Sequence, residues 1–215
     1  MRSVNNKNKH LGIQSVRQIK YMYYNLGKGQ GMKRLISVIA IAAFCLPAVA
    51  DSNVLFGEHD NSITLYAAQS TGSGSLLKLI QPGLWDFAPQ TFVMFQYSQP
   101  IKFFRLDSRL NLNVGNNFAY KSSDGLNFFG VGISIDTALL QYHGWYMGIG
   151  IGPFMRDRMD RWVESRLVFK EKFFIGKSLD DNWNIEIATI HFSNGNFTTA
   201  NEGFNFFGMS IGYKF

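Results

Sequence analysis

Cysteine is almost missing from this chain. A single residue, Cys45, occurs among 215. If the protein is exported, it must stand without disulfides. Acidic residues are missing from positions 1 to 50, which nonetheless carry Arg2, Lys7, Lys9, Arg17, Lys20, Lys28, Lys33 and Arg34. From residue 51 onward there are 13 Lys and Arg against 15 Asp and Glu. The net charge of +6 therefore belongs to the first 50 residues, and the case for a nucleic-acid partner loses its support. Beyond residue 50 there is also no uninterrupted apolar run of the length a membrane helix needs. No His, Cys and Asp cluster has metal-ligand spacing, since His59, His143 and His191 are dispersed. Neither a metal nor another cofactor is expected.

The stretch "MKRLISVIAIAAFCLPAVADSN" begins at Met32 and ends in small residues, Ala48-Val49-Ala50. Two positive charges, a short apolar run and that ending predict a secretory signal over 32–50, cleaved before Asp51. The run is too short and wrongly flanked for a spanning helix, and a retained anchor is the alternative. Residues 1–31 precede the signal as a non-native start or a leader extension. Acylation of Cys45 is disfavoured by the bulky Phe44 before it.

Residues 51–215 are rich in Phe, Tyr, Trp and Gly and alternate with period two, the signature of strands. Phe129, Val131, Ile133, Ile135 and Leu139 share one face, opposite Gly130, Gly132, Ser134 and Asp136. Trp145, Met147, Ile149 and Ile151 oppose Tyr146, Gly148, Gly150 and Gly152. The apolar faces are continuous and end in aromatics, while the opposite faces are small and polar. That pattern predicts an all-β, eight-stranded antiparallel transmembrane barrel over 51–215, in an outer membrane. Strands are expected near 62–70, 90–98, 107–117, 127–141, 144–153, 164–177, 182–193 and 203–215. A barrel of this size is filled by its own side chains and is not a porin. In the sixth strand Glu171 interrupts the Leu167, Phe169, Phe173, Ile175 face. A soluble barrel also alternates and is the competing fold.

Near the C-terminus the sequence reads "IHFSNGNFTTANEGFNFFGMSIGYKF". An even number of strands puts both termini on the periplasmic side, so the seventh strand runs outward. Trp183, Ile185, Ile187 and Thr189 then lead to His191 and Ser193 on the lipid-facing side, and Asn205 on the last strand shares that face. The three residues meet on an external patch at the depth of the outer leaflet, near a rim where water and headgroups satisfy polar groups. Residues i and i+2 of a strand lie roughly 6.5 to 7 Å apart, which an imidazole can bridge to a hydroxyl. A serine needs a base within hydrogen-bond reach and a third group to fix the base's tautomer.

The run "HFSNG…NEGFN…GYKF" resembles the C-terminal motif of the PagL-type lipid A 3-O-deacylases, small outer-membrane barrels that remove an ester-linked acyl chain. The resemblance is specific over about 25 residues. It implies that His191 is the base and Ser193 the nucleophile. It also implies that Asn201, with Asn194 and Gly203, binds the oxyanion or substrate, and that position 205 orients the histidine. The family pattern has Glu at that last site, where this chain has Asn205. Glu202 stands where a proline is often found; as a substitute acid it has the wrong parity. The His-Ser-Asn set is also similar to that of outer-membrane phospholipase A, a larger, twelve-stranded, calcium-dependent barrel. A non-catalytic barrel is the reading from a different class.

The expected substrate is lipopolysaccharide through its lipid A, in outer-membrane lipid, after insertion by the barrel-assembly machinery; a homodimer is an option. Asp180-Asp181 read as a solvated turn. Arg156, Arg158 and Arg161 of "RDRMDR" are placed on an outer loop facing lipopolysaccharide phosphates. Arg166, Lys170 and Lys172 are expected inside, paired with Glu186 and Asp136.

Overall fold

A computed structural model of the chain describes residues 61–119, 127–160 and 162–215. The expectations for 1–31, for the signal at 32–50 and for Arg161 fall outside these residues. Eight strands form a closed antiparallel barrel, each paired with its sequence neighbours, and β1 closes on β8. They are β1 (Ser62–Ser73), β2 (Gln90–Phe103), β3 (Leu106–Ala119), β4 (Phe128–Tyr142), β5 (Trp145–Arg156), β6 (Leu167–Ser178), β7 (Trp183–Ser193) and β8 (Phe204–Lys214).

Alternation explains the wall. On β7 the outward Trp183, Ile185 and Ile187 are exposed, while Asn184, Glu186 and Ala188 are buried. Leu65, Phe95, Leu112, Ile133, Ile151, Ile175 and Met209 continue the exposed apolar surface around the barrel. Such a continuous apolar exterior suits hydrocarbon and would be a liability in water. Tyr142, Trp145, Trp183, Tyr213 and Phe215 are exposed at one end, where Trp183 and Tyr213 rings lie 4.9 Å apart. That end carries the short connections. Two of them are two-residue turns with positive φ at both positions, Phe104 (49°) with Arg105 (68°) and His143 (44°) with Gly144 (86°), the mirror-image turns that match strand twist.

The interior is filled. Phe92, Phe154, Phe192 and Phe206 pack ring on ring. Below them lies a charge network. Asp136 Oδ2 accepts from Lys172 Nζ at 2.7 Å and from Arg109 at 2.9 Å. Glu186 accepts from Arg109 at 2.8 Å, from Lys172 at 3.1 Å and from the Tyr66 hydroxyl at 2.5 Å. The expected pairing of Lys172 holds. Lys170 instead donates to Asn113 Oδ1 at 2.8 Å, and Arg166 is exposed ahead of β6, so Arg109 completes the network.

The far end carries the long connections. Between β1 and β2, residues 74–89 form two short 3₁₀ turns, Leu76–Ile80 and Pro82–Leu84. Between β5 and β6, Arg156 turns inward because β5 extends to it and its parity matches Phe154. Its guanidinium donates to Asp160 Oδ2 at 2.5 Å, Val163 O at 2.9 Å and Ser165 O at 2.7 Å. It is thus a structural clamp, and only Arg158 of the described pair is exposed.

Candidate active site

Phe192 fixes the direction of its neighbours. Its ring is stacked on Phe204 at 5.1 Å and lies 5.3 Å from Phe92, inside the barrel. His191 and Ser193 therefore point outward, and Asn205, between the inward Phe204 and Phe206, does the same. All three lie on the outer wall at the end with long connections. Yet their exposure is 4% for His191, 6% for Ser193 and 1% for Asn205, against 49% for Ile187 on the same face of β7.

The cover is the β1–β2 connection. Its first 3₁₀ turn packs across β6, β7 and β8 with Leu79 buried. Gly74 N donates to Glu202 O at 3.1 Å and to Gly203 O at 3.3 Å, and the Trp85 ring sits 4.6 Å from that of Phe207 on β8. An open rim was expected from the alternation of β7 alone; the site is instead roofed. A strand's own sequence does not show what a connection a hundred residues away lays over it.

His191 pairs in register with Asn205 across β7 and β8, and Nδ1 lies 2.7 Å from Asn205 Oδ1. The orientation of that amide follows from its other end. Asn205 Nδ2 donates to Gly72 O at 3.4 Å and to Gly74 O at 3.3 Å. Both partners are acceptors only, so Oδ1 must face the ring and accept the Nδ1 proton. In the neutral imidazole, Nε2 then carries the lone pair, the form a general base needs. A register shift between Ser70 and Gly72 on β1 brings those two carbonyls to the amide, the re-aiming that a β-bulge supplies beside a site.

Ser193 does not bond His191 in this arrangement. Its hydroxyl donates to Glu171 Oε1 at 3.4 Å, a long contact. Glu171 lies opposite His191 in the β6–β7 register. The imidazole is thus flanked by Asn205 on one neighbouring strand and Glu171 on the other. Glu171 was missed as a site residue, although its sequence signal was plain: a lone acid on an outward apolar face.

The connection between β7 and β8 gathers the remaining candidates. Asn201 Oδ1 accepts from Asn194 N at 2.8 Å, and Asn201 Nδ2 donates to Asn196 Oδ1 at 3.0 Å. Asn194 Nδ2 donates to Thr198 Oγ1 at 2.5 Å and Ala200 O at 2.9 Å. Both amides brace the loop in this arrangement, so either must leave these partners to meet an oxyanion. Gly203 instead lies against the His191 ring. A Cβ built on it would stand 2.5 Å from His191 Cε1 and 3.0 Å from Nε2.

A family model for lipid A 3-O-deacylase (PagL) matches residues 90–214. The chain belongs to the PagL family. The matched span runs from the start of β2 to the end of β8 and contains Glu171, His191, Ser193 and Asn205. No curated protein matches the chain. The crystal structure of Neisserial surface protein A (NspA) aligns with a TM-score of 0.52 at 13% identity, over 72% of this chain and 97% of that one. That of the outer membrane enzyme PagL aligns at 0.47 and 12%, over 70% and 97%. The Yersinia pestis outer membrane protein Ail aligns at 0.39 and 15%, over 74% and 100%. At 13% identity the NspA likeness speaks for the barrel and not for an activity.

Proposed function

We propose that this PagL-family barrel is an outer-membrane serine esterase that hydrolyses the 3-O-linked acyl chain of lipid A. Ser193 is the nucleophile, His191 the base and Asn205 the residue that fixes the base's tautomer. The observation that carries this reading is the His191–Asn205 hydrogen bond, with the amide orientation locked by Gly72 and Gly74, two residues from a serine on the same face. The long connections gather at the site's end and the short turns at the other. In outer-membrane barrels the long connections are extracellular, and this supports a site at the outer leaflet, where lipid A is found.

The chemistry follows from these roles. The serine hydroxyl turns from Glu171 to Nε2, passes its proton to that nitrogen, and Oγ bonds to the ester carbonyl carbon. The tetrahedral oxyanion collapses and the bond to the sugar oxygen breaks. The imidazolium returns its proton to the departing alkoxide. A water then repeats the sequence on the acyl-serine, releasing the fatty acid and restoring Ser193 and His191. Asn201 and Asn194 are the candidate oxyanion donors. The closed barrel suits insertion by the barrel-assembly machinery.

The test is mass spectrometry of lipid A from cells producing wild type, Ser193→Ala or His191→Ala. Loss of one hydroxyacyl chain with wild type alone is expected. Three spectra identical to the empty-vector control would overturn the reading. Lysophospholipid in place of deacylated lipid A would favour the phospholipase alternative that Asn205 also suits.

A further inference from the structure

Glu171 sits where a charge is expensive. It is the single acidic residue on the outward face of any described strand, among Leu167, Phe169, Phe173 and Ile175. It is half-buried, and its Oε2 is buried without a hydrogen-bond partner. Burying a carboxylate oxygen unpaired on an apolar wall is destabilising, so the position calls for a reason in function. Two observations supply one. The strand register sets Glu171 directly across from His191, where same-face neighbours stand about 4.5–5.5 Å apart at Cβ. Its other oxygen, Oε1, accepts from the hydroxyl of Ser193.

Asn205 leaves a complementary deficit. Its amide fixes the imidazole tautomer but carries no charge, so it does little to stabilise the imidazolium that forms when Ser193 gives up its proton. We infer that Glu171 is the carboxylate of this site, supplied from β6 on the opposite side of the imidazole from Asn205. The inference rests on the esterase reading and adds a residue to it. At rest, Oε1 holds the Ser193 hydroxyl. When the hydroxyl turns to Nε2, the carboxylate is left facing the cation that develops on His191. Glu171 takes up no proton at any step: the serine proton goes to Nε2, then to the leaving alkoxide. The tautomer and the charge, which a single acid serves in a Ser-His-Asp triad, are divided between Asn205 and Glu171.

The test uses full-length protein in outer membranes or detergent, with lipopolysaccharide as substrate and folding checked by heat-modifiable gel mobility. Glu171→Gln is expected to lower kcat about 10²-fold with KM within about twofold, since general-base catalysis contributes on the order of 10²–10⁴-fold. Moving the charge to the other flank, in the double variant Glu171→Gln with Asn205→Glu, is expected to recover at least about tenfold over Glu171→Gln, because the two positions share one partner. Glu171→Asp, which keeps the charge, should exceed Glu171→Gln. A Glu171→Gln enzyme with wild-type kcat overturns the inference, and so does a double variant no faster than the single one. A barrel that folds only with a carboxylate at 171 assigns the residue to structure and overturns it as well. The two readings separate cleanly. Activity in wild type, its loss in Ser193→Ala and its retention in Glu171→Gln remove this inference alone, whereas an inactive wild type removes the esterase and this inference with it.

Discussion

Gly203 lies against the His191 imidazole, so close that a Cβ there would fall 2.5 Å from Cε1 and 3.0 Å from Nε2. Its φ is +67°, a conformation that favours glycine. The contact bears on the position of the nitrogen that, in the proposed mechanism, receives the Ser193 proton. Gly203→Ala cannot keep both the backbone and the ring where they are. The ring, held only at Nδ1, is the softer partner and moves. A displacement of about 1 Å in a reacting group costs on the order of 10²-fold. A hundredfold drop in acyl release is therefore expected from a barrel that still shifts on an unheated gel. A rate within twofold of wild type would separate Gly203 from the alignment of the base.

Asn205 makes three contacts with one amide, and they divide into an orienting bond to His191 and two anchoring bonds to Gly72 and Gly74. Asn205→Leu keeps similar bulk but offers neither acceptor nor donor. The imidazole then samples both tautomers and can rotate, while the two carbonyls lose a donor. The expected outcome is a fall in kcat of about 10² or more with KM little changed. Single-turnover release of labelled acyl chain would measure it. Equal activity in Asn205→Leu would show that the bond between Nδ1 and Oδ1 is not needed for chemistry.

Much of this architecture is legible in the sequence, because period-two alternation records which face of a wall meets lipid. The eight strands lie close to their expected places, and the shared face of His191, Ser193 and Asn205 follows from parity. What parity omits is pairing. Glu171 shows in its own strand only as a break in an apolar face; its meaning comes from the β6–β7 register that sets it across from His191. The roof over the site is invisible for a related reason. Residues 74–89 have no periodic pattern, and their 3₁₀ turns bury Leu79 against strands far along the chain. Arg156 turned on where β5 ends: one more turn of the zigzag carries it from an outer loop into the barrel mouth.

Asp136 is the hub of the interior charges, accepting from Lys172 and Arg109 with no exposed surface of its own. Replacing it with Leu leaves those two cations with Glu186 as their remaining carboxylate in the network. Removing one partner from a buried ion pair costs about 3–5 kcal/mol, because the charge left behind is uncompensated. The midpoint of urea unfolding in lipid vesicles should fall accordingly in Asp136→Leu. The residual folded fraction should keep its activity, since no member of this network touches His191 or Ser193. An unchanged midpoint would mean that the remaining Glu186 suffices for both cations.

Trp85 bears on how substrate reaches a roofed serine. Its ring rests on Phe207, and its Nε1 donates to Lys78 O at 2.7 Å, so one side chain ties the connection both to β8 and to its own 3₁₀ turn. The outer side of the same connection exposes Leu77, Ile80, Leu84 and Phe87, an apolar surface that can exchange contacts with acyl chains at little cost. Trp85→Ala removes about 150–250 Å² of aromatic surface available for burial and the hydrogen bond, loosening the roof without altering His191, Ser193 or Asn205. His191, now 4% exposed, should then react several-fold faster with an imidazole-modifying reagent. With short-chain soluble esters, which do not need the lipid surface to part the roof, turnover should rise in the same variant. If modification and turnover both stay at wild-type values, the connection is held by Leu79 and the Gly74 backbone bonds, and the tryptophan serves only to meet lipid.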